Sequence, residues 1–209
     1  FLTGRLRARG LGVTSADAGA IFASAAGGVQ CDEDRLPFAD GAFDLVVSVG
    51  ALDGVNDLPG ALVLIRRVLR PDGLFLAAFA GAGSLPRLRS AMNAAEEAEG
   101  VPASPRLHPQ IDVRAAGDLL TRAGFALPVA DAESIQIRFS SFGRLVRDLR
   151  AMGATNILAS RSRRPMGRLG LAAATAEFER HADNDGKTVE RFEIVYLTGW
   201  SPSADQPHP

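Results

Sequence analysis

The segment Phe43-Asp44-Leu45-Val46-Val47-Ser48-Val49 limits what this chain can fold into more than any other. A nearly continuous, valine-rich apolar run of that length has the pattern of a strand covered on both faces. Asp57 then caps a helical pattern in which Leu58, Leu62, Ile65 and Leu69 recur, with Pro59 in the first turn, where proline is tolerated. Arg70-Pro71-Asp72-Gly73 stops that helix, and residues 74–79 read as the next buried strand. Strand, helix and strand joined by short connections are the grammar of a parallel sheet with helices on its faces. The expected fold class is α/β.

The flanking segments extend the pattern. Residues 12–17 read as a short strand ending on Asp17, 18–26 as an alanine-rich helix, and 29–31 as a brief buried strand running into Asp32-Glu33-Asp34. Further on, 85–99 and 113–123 read as helices, Phe125 opens a strand, and 135–139 alternate as a half-exposed strand does. Phe142, Leu145, Val146, Leu149 and Met152 form one apolar helical stripe, read as core packing. Residues 166–181 predict a helix, 192–197 a final strand, and 201–209, with three prolines, a disordered tail.

Composition excludes several classes. With 46% hydrophobic and 22% charged residues in 209, the chain has the balance of one globular domain that buries a core. No window approaches the roughly 18 uninterrupted apolar residues of a membrane span. One cysteine excludes an internal disulfide framework, and three scattered histidines argue against a structural zinc site, so no metal is expected. A net charge of −1 excludes a uniformly basic nucleic-acid binder. Charge is nevertheless uneven: from Arg138 to Arg168 eight arginines face a single acid, Asp148, a local +7. That cluster reads either as a solvated face or as a dock for an acidic partner, with RNA the less favoured occupant.

In an open α/β sheet, ligands bind beyond the carboxyl ends of the strands. Asp17 ends one strand, Asp32 and Glu33 end the next, and residues 48–53 leave the third. A strand-end carboxylate can take both hydroxyls of a ribose, and an acid one strand along can meet an adenine amino group. Other constellations fail. Gly81-Ala82-Gly83-Ser84 lacks the Gly-Lys pair of a phosphate loop and reads as an ordinary strand-to-helix turn. Ser48 and Ser84 sit in no nucleophile elbow, and Cys31 reads as an inert core thiol.

The run from Asp32 through Leu36-Pro37-Phe38 to Phe43-Asp44-Leu45-Val46-Val47-Ser48, followed by Leu69-Arg70-Pro71-Asp72-Gly73-Leu74-Phe75, resembles the centre of a class I S-adenosylmethionine-dependent methyltransferase. Val55-Asn56-Asp57-Leu58-Pro59-Gly60-Ala61-Leu62, Gly83-Ser84-Leu85-Pro86-Arg87-Leu88-Arg89, residues 148–156 and residues 192–200 narrow the likeness. They resemble the methyltransferase-fold complex I assembly factors, understood as arginine hydroxylases, and their bacterial relatives. More distantly they resemble the malonyl-acyl-carrier-protein O-methyltransferases of biotin synthesis.

The resemblance implies a Rossmann-like sheet with helices on both faces and S-adenosyl-L-methionine as cofactor. It implies one domain over residues 1–200, with family-specific helical insertions in 84–181. By the match of strand ends, Asp17 would hold the ribose, Asp32 and Glu33 would border the adenine, and Val49 and Gly50 would line the pocket floor. Arg89 and Asn156 are the substrate-side candidates. No catalytic residue is assigned, because methyl transfer needs mainly positioning. A protein substrate or acidic protein partner would engage the arginine cluster. The implied location is the cytoplasm of a bacterium, or the mitochondrial matrix of a eukaryote.

Two departures qualify this. No glycine-rich loop precedes Asp17, and the chain opens on Phe1 with no signal-peptide grammar. An N-terminally incomplete domain is therefore expected, with the family's first strand and glycine-rich loop missing. Asp53-Gly54 also stand where the assembly factors usually carry His-Trp, which favours a non-catalytic assembly module as an alternative to the two enzymes.

Overall fold

The computed structural model describes residues 2–102, 106–158, 161–162 and 164–203. Helix α1 (Leu2–Arg7), strand β1 (Ala16–Asp17), helix α2 (Ala20–Ala25) and strand β2 (Val29–Gln30) open the chain. β1 and β2 pair in parallel as a two-stranded sheet, with Ala16 opposite Val29 and Asp17 opposite Gln30. Strands β3 (Phe43–Val49), β4 (Leu69–Ala80), β5 (Ala126–Phe139) and β6 (Thr188–Trp200) make a second sheet in the order β3-β4-β6-β5. The remaining helices are α3 (Leu58–Val68), α4 (Pro86–Glu99), α5 (Val113–Arg122), α6 (Phe142–Ala151) and α7 (Arg168–Glu179). The α/β class holds.

The chain divides into two compact units. The first comprises residues up to Ala77, Gly117–Val129 and those from Leu197 onward; the second comprises Ala78–Ala116 and Ala130–Tyr196.

In the first unit, α3 forms as its sequence requires. The Asp57 carboxylate accepts the Gly60 N–H at 2.9 Å, satisfying one of the donors a helix start leaves over, and Ala61, Leu62, Ile65 and Val68 are buried. Phe75 stacks on Phe125 with ring centroids 5.3 Å apart. Arg70-Pro71-Asp72-Gly73 does end α3, but it lies inside β4 instead of forming a separate turn. The cause is a hydrogen-bonded partner at the far end of the chain: Ser201 N–H donates to the Gly73 carbonyl at 2.8 Å, and its carbonyl accepts Asp72 N–H at 3.0 Å. Ser201, expected to start a disordered tail, is thus 6% exposed and held; residues 204–209 lie outside the described residues.

β3 has the expected bounds but not the expected cover. None of its residues is buried, and Val49 is 63% exposed. β3 is an edge strand of its sheet, so its apolar run lacks the neighbours that would close both faces. On α2, Ala23 is buried while Ile21 and Phe22 are 81% and 69% exposed.

In the second unit, Leu85, Leu88, Ala91, Ala95, Phe139, Phe142, Leu145, Leu149, Ala174 and Phe178 form one core. Each fully buried leucine or phenylalanine there contributes about 1.5–3 kcal/mol. Just past β4, Gly81 N–H bonds the Glu193 carbonyl and Leu85 N–H bonds that of Arg191, each at 2.8 Å, so this segment runs antiparallel to β6. The two strands expected after Phe125 are one strand, β5, with Pro128 within it.

The start of α4 depends on a distant residue. Leu85, its N-cap, has φ of 59° and no side chain able to cap. The fully buried carboxylate of Glu190 accepts N–H groups from Arg87 (3.2 Å) and Leu88 (2.8 Å) instead. The loop before it is fastened to β6 as well. Ser84 Oγ donates to the Glu193 carbonyl and accepts the Glu193 N–H. A Cβ on Gly83 would fall 2.3 Å from Glu193 Oε2, so any other residue there would have to push the Glu193 carboxylate aside. Gly81–Ser84 is thus the strand-to-helix connection its sequence suggested.

Candidate functional site

The parallel register of β1 and β2 brings three of the expected cofactor residues to one place. Asp17 is the last residue of β1, and its carbonyl accepts the Cys31 N–H at 3.1 Å. This tethers the segment that leads directly into Asp32 and Glu33. Asp17 Oδ1 accepts the Gly19 N–H at 2.7 Å, while Oδ2 has no partner among the described residues. An ionised carboxylate is acceptor-only, so this free oxygen suits a hydroxyl donor.

Glu33 is half-buried, and burial pushes its carboxyl above the ordinary range. Its own backbone opposes the rise, while the negative charges of Asp32, Asp17 and Asp34 reinforce it. The same neighbourhood raises the Cys31 thiol, first through burial and then through Glu33 and Asp32, which keeps it protonated and unreactive. Cys31 is half-buried, not the core thiol expected.

Val49 and Gly50 stand apart from these acids in the topology, at the end of β3 in the other sheet. Both are exposed. Gly50 has φ of 67°, and a Cβ built on it would meet nothing within 4 Å, so the exit of β3 is open. Asp53 and Gly54 form a short 3-10 turn with Leu52, which is buried.

In the second unit, the segment 106–111 connects the substrate-side candidates. Arg89 donates to Gln110 Oε1 at 3.2 Å. His108 Nε2 accepts the Ile157 N–H at 3.1 Å, next to Asn156, whose Oδ1 accepts the Leu158 N–H at 3.1 Å. Arg89 and the Asn156 segment therefore hold the same loop. Neither His108 nor Gln110 stood out in the sequence; the signal available was a polar pair flanking Pro109 in a loop too long to be a plain turn.

The arginine cluster is smaller than its sequence count. Arg138 is engaged by Asp183 and Asp185, and Arg144 by Asp148 at 3.0 Å. Arg147 and Arg150 are exposed and meet no carboxylate among the described residues. Arg163 lies outside the described residues. No group of three or more histidine, cysteine, aspartate or glutamate residues among those described could hold a metal ion. Among the described residues, no helix is long and apolar enough to cross a membrane.

Comparison with known proteins bears on the same segments. Residues 4–77 match a family described as a methyltransferase domain. The chain is 38% identical over 182 residues to the mitochondrial arginine-hydroxylase NDUFAF5 of Danio rerio, covering 87% of this chain and 56% of that protein. It is 37% identical to the human protein of that name, covering 52% of it. It is also 37% identical over 184 residues to the malonyl-[acyl-carrier protein] O-methyltransferase of Laribacter hongkongensis, covering 88% of this chain and 60% of that one. The chain thus spans a little over half the length of these relatives. Among solved structures, YcgJ protein from Bacillus subtilis superposes with a TM-score of 0.59 at 14% identity, over 90% of this chain and 82% of that one. At that identity the likeness shows the fold alone.

Proposed function

We propose that the chain is an S-adenosylmethionine-dependent methyltransferase-fold protein that binds S-adenosyl-L-methionine and acts on a protein, in the manner of the complex I assembly factors. The methyltransferase-domain match and the 37–38% identical relatives support this reading. The observation that carries this reading is the meeting of Asp17, Asp32 and Glu33 at the carboxyl ends of two parallel strands. Asp17 Oδ2 offers a free acceptor for a ribose hydroxyl. Asp32 and Glu33 would border the adenine, whose amino group donates, and Val49 with Gly50 would line the floor. In a methyl transfer the cofactor bound there would supply an electrophilic methyl group. The arginine hydroxylation for which the NDUFAF5 relatives are named would need an oxidant in addition to it. The chain's own part is orientation and exclusion of water, which accounts for a site without an acid–base pair. Arg89 and Asn156 would face the substrate through the loop they share.

A second reading, malonyl-acyl-carrier-protein O-methyltransferase, is supported by 37% identity to such an enzyme. Both readings share the cofactor, so one experiment tests their common ground. Amide hydrogen exchange of the protein as its gene encodes it, with and without S-adenosylhomocysteine, should show protection at residues 16–19, 31–35 and 49–51. Absence of protection at all three would overturn the cofactor assignment.

A further inference from the structure

Within the second unit, α6 and the start of α7 enclose an open groove of about 340 Å³ lined by Phe142, Gly143, Val146, Arg147, Arg150 and Leu171. Its α6 wall is a stripe at helical spacing, Gly143, Val146, Arg147 and Arg150, on the face opposite buried Leu145 and Leu149. The floor is apolar and incompletely covered: Leu171 is 51% exposed, and close by in sequence Leu169 and Met152 are 63% and 64% exposed. The rim is cationic. Arg147 and Arg150 lie one turn apart without an ion-pair partner among the described residues, whereas Arg144 is already engaged by Asp148.

Gly143 shapes one end of the groove. Its φ is not positive, so its backbone does not demand glycine. A Cβ there would approach only Ser141 Oγ, at 4.0 Å, so packing within the chain does not demand it either. What the missing side chain does is leave a notch at the end of the apolar floor, where another molecule's side chain can enter.

We propose that this groove docks an acidic amphipathic helix of a protein partner. This rests on the reading that the protein acts on, or with, another protein. The groove runs along about two turns of helix, roughly 10 Å, enough to receive apolar side chains at i, i+4 and i+7 of a partner helix. Arg147 and Arg150, one turn apart, match carboxylates spaced one turn apart on that helix. Two such arginines fall short of the cluster of about four to eight basic residues that an anionic membrane surface favours, which points to a discrete helix.

The test is fluorescence anisotropy with a labelled 15-residue peptide carrying leucines at i, i+4 and i+7 flanked by glutamates one turn apart. A scrambled peptide of equal composition and phosphatidylglycerol vesicles are run beside it. The proposal expects at least tenfold tighter binding of the patterned peptide than of the scrambled one. Arg147→Glu with Arg150→Glu should weaken it tenfold or more and flatten its salt dependence. Gly143→Leu, which fills the notch and leaves the charge, should weaken it about tenfold with the salt dependence intact. Arg122→Glu, elsewhere on the surface, should leave binding unchanged. Circular dichroism checks folding, and Leu171→Ser replaces Gly143→Leu if that variant unfolds. Equal binding of the scrambled peptide, indifference to the notch variant, or binding of vesicles alone would overturn the proposal. S-adenosylhomocysteine titrations on the same variants test the cofactor reading separately, because loss of the groove should leave them unchanged.

Discussion

The carboxylate of Glu190 lies 2.8 Å from the backbone nitrogen of Leu88, 102 residues away in sequence, and serves as the cap that α4 does not carry in its own N-terminal residues. Leu85 offers no acceptor, and Pro86 leaves Arg87 and Leu88 as the N–H groups in need of one. Because Glu190 is fully buried, no water can take its place readily. Glu190→Ala should therefore destabilise the protein by about 2–3 kcal/mol, with Glu190→Gln costing less. Urea unfolding followed by far-UV circular dichroism measures both.

A contrast between two phenylalanines checks the burial pattern. Phe178 is fully buried against Phe142, with centroids 5.9 Å apart, whereas Phe22 is 69% exposed on α2. Phe178→Ala should cost about 3–5 kcal/mol. Phe22→Ser should stay within about 0.5 kcal/mol, as surface substitutions do. Denaturant midpoints at constant m-value give the comparison; a large loss at Phe22 would mean its apolar face is covered in solution.

The acid cluster makes stability depend on pH in a defined direction. The Glu33 carboxyl is raised in the folded protein, first by burial and then by its acidic neighbours. A raised carboxyl leaves stability intact below its unfolded value, where it is protonated in both states, and costs stability as pH rises through the folded value. Glu33→Gln should thus gain on the wild type as pH climbs from about 4 to 7 and show no advantage at pH 3. Thermal melts across that range test the sign; an advantage that shrinks with rising pH would refute it.

How much of this was legible in the sequence varies by residue. The bounds of β3 and the capping of α3 by Asp57 were readable because both are local patterns. The cover of β3 was not, since a valine run reports how apolar a strand is and not which neighbours flank it. The single long β5 was hidden because it is exposed along most of its length and interrupted by Pro128. The pairs Glu190 with Leu88, Arg138 with Asp183, and Ser201 with Gly73 were out of reach for the same reason: their partners lie far along the chain. The arginine cluster counted from sequence accordingly shrank once its distant acids were in place. The nearness of Asp17, Asp32 and Glu33 was legible, because strand order alone brings them together.

Calorimetric titration of S-adenosylhomocysteine into the protein as its gene encodes it, wild type against Asp17→Ala, tests the central claim most directly. If Asp17 holds the ribose through charge-assisted hydrogen bonds worth about 1.5–3 kcal/mol, the variant should bind about 10- to 150-fold more weakly. Its unfolding midpoint should change little, since the Asp17 side chain is exposed and, among the described residues, bonds the nearby Gly19 N–H, while the backbone bond to Cys31 is kept. Equal affinity in the two proteins would contradict the account.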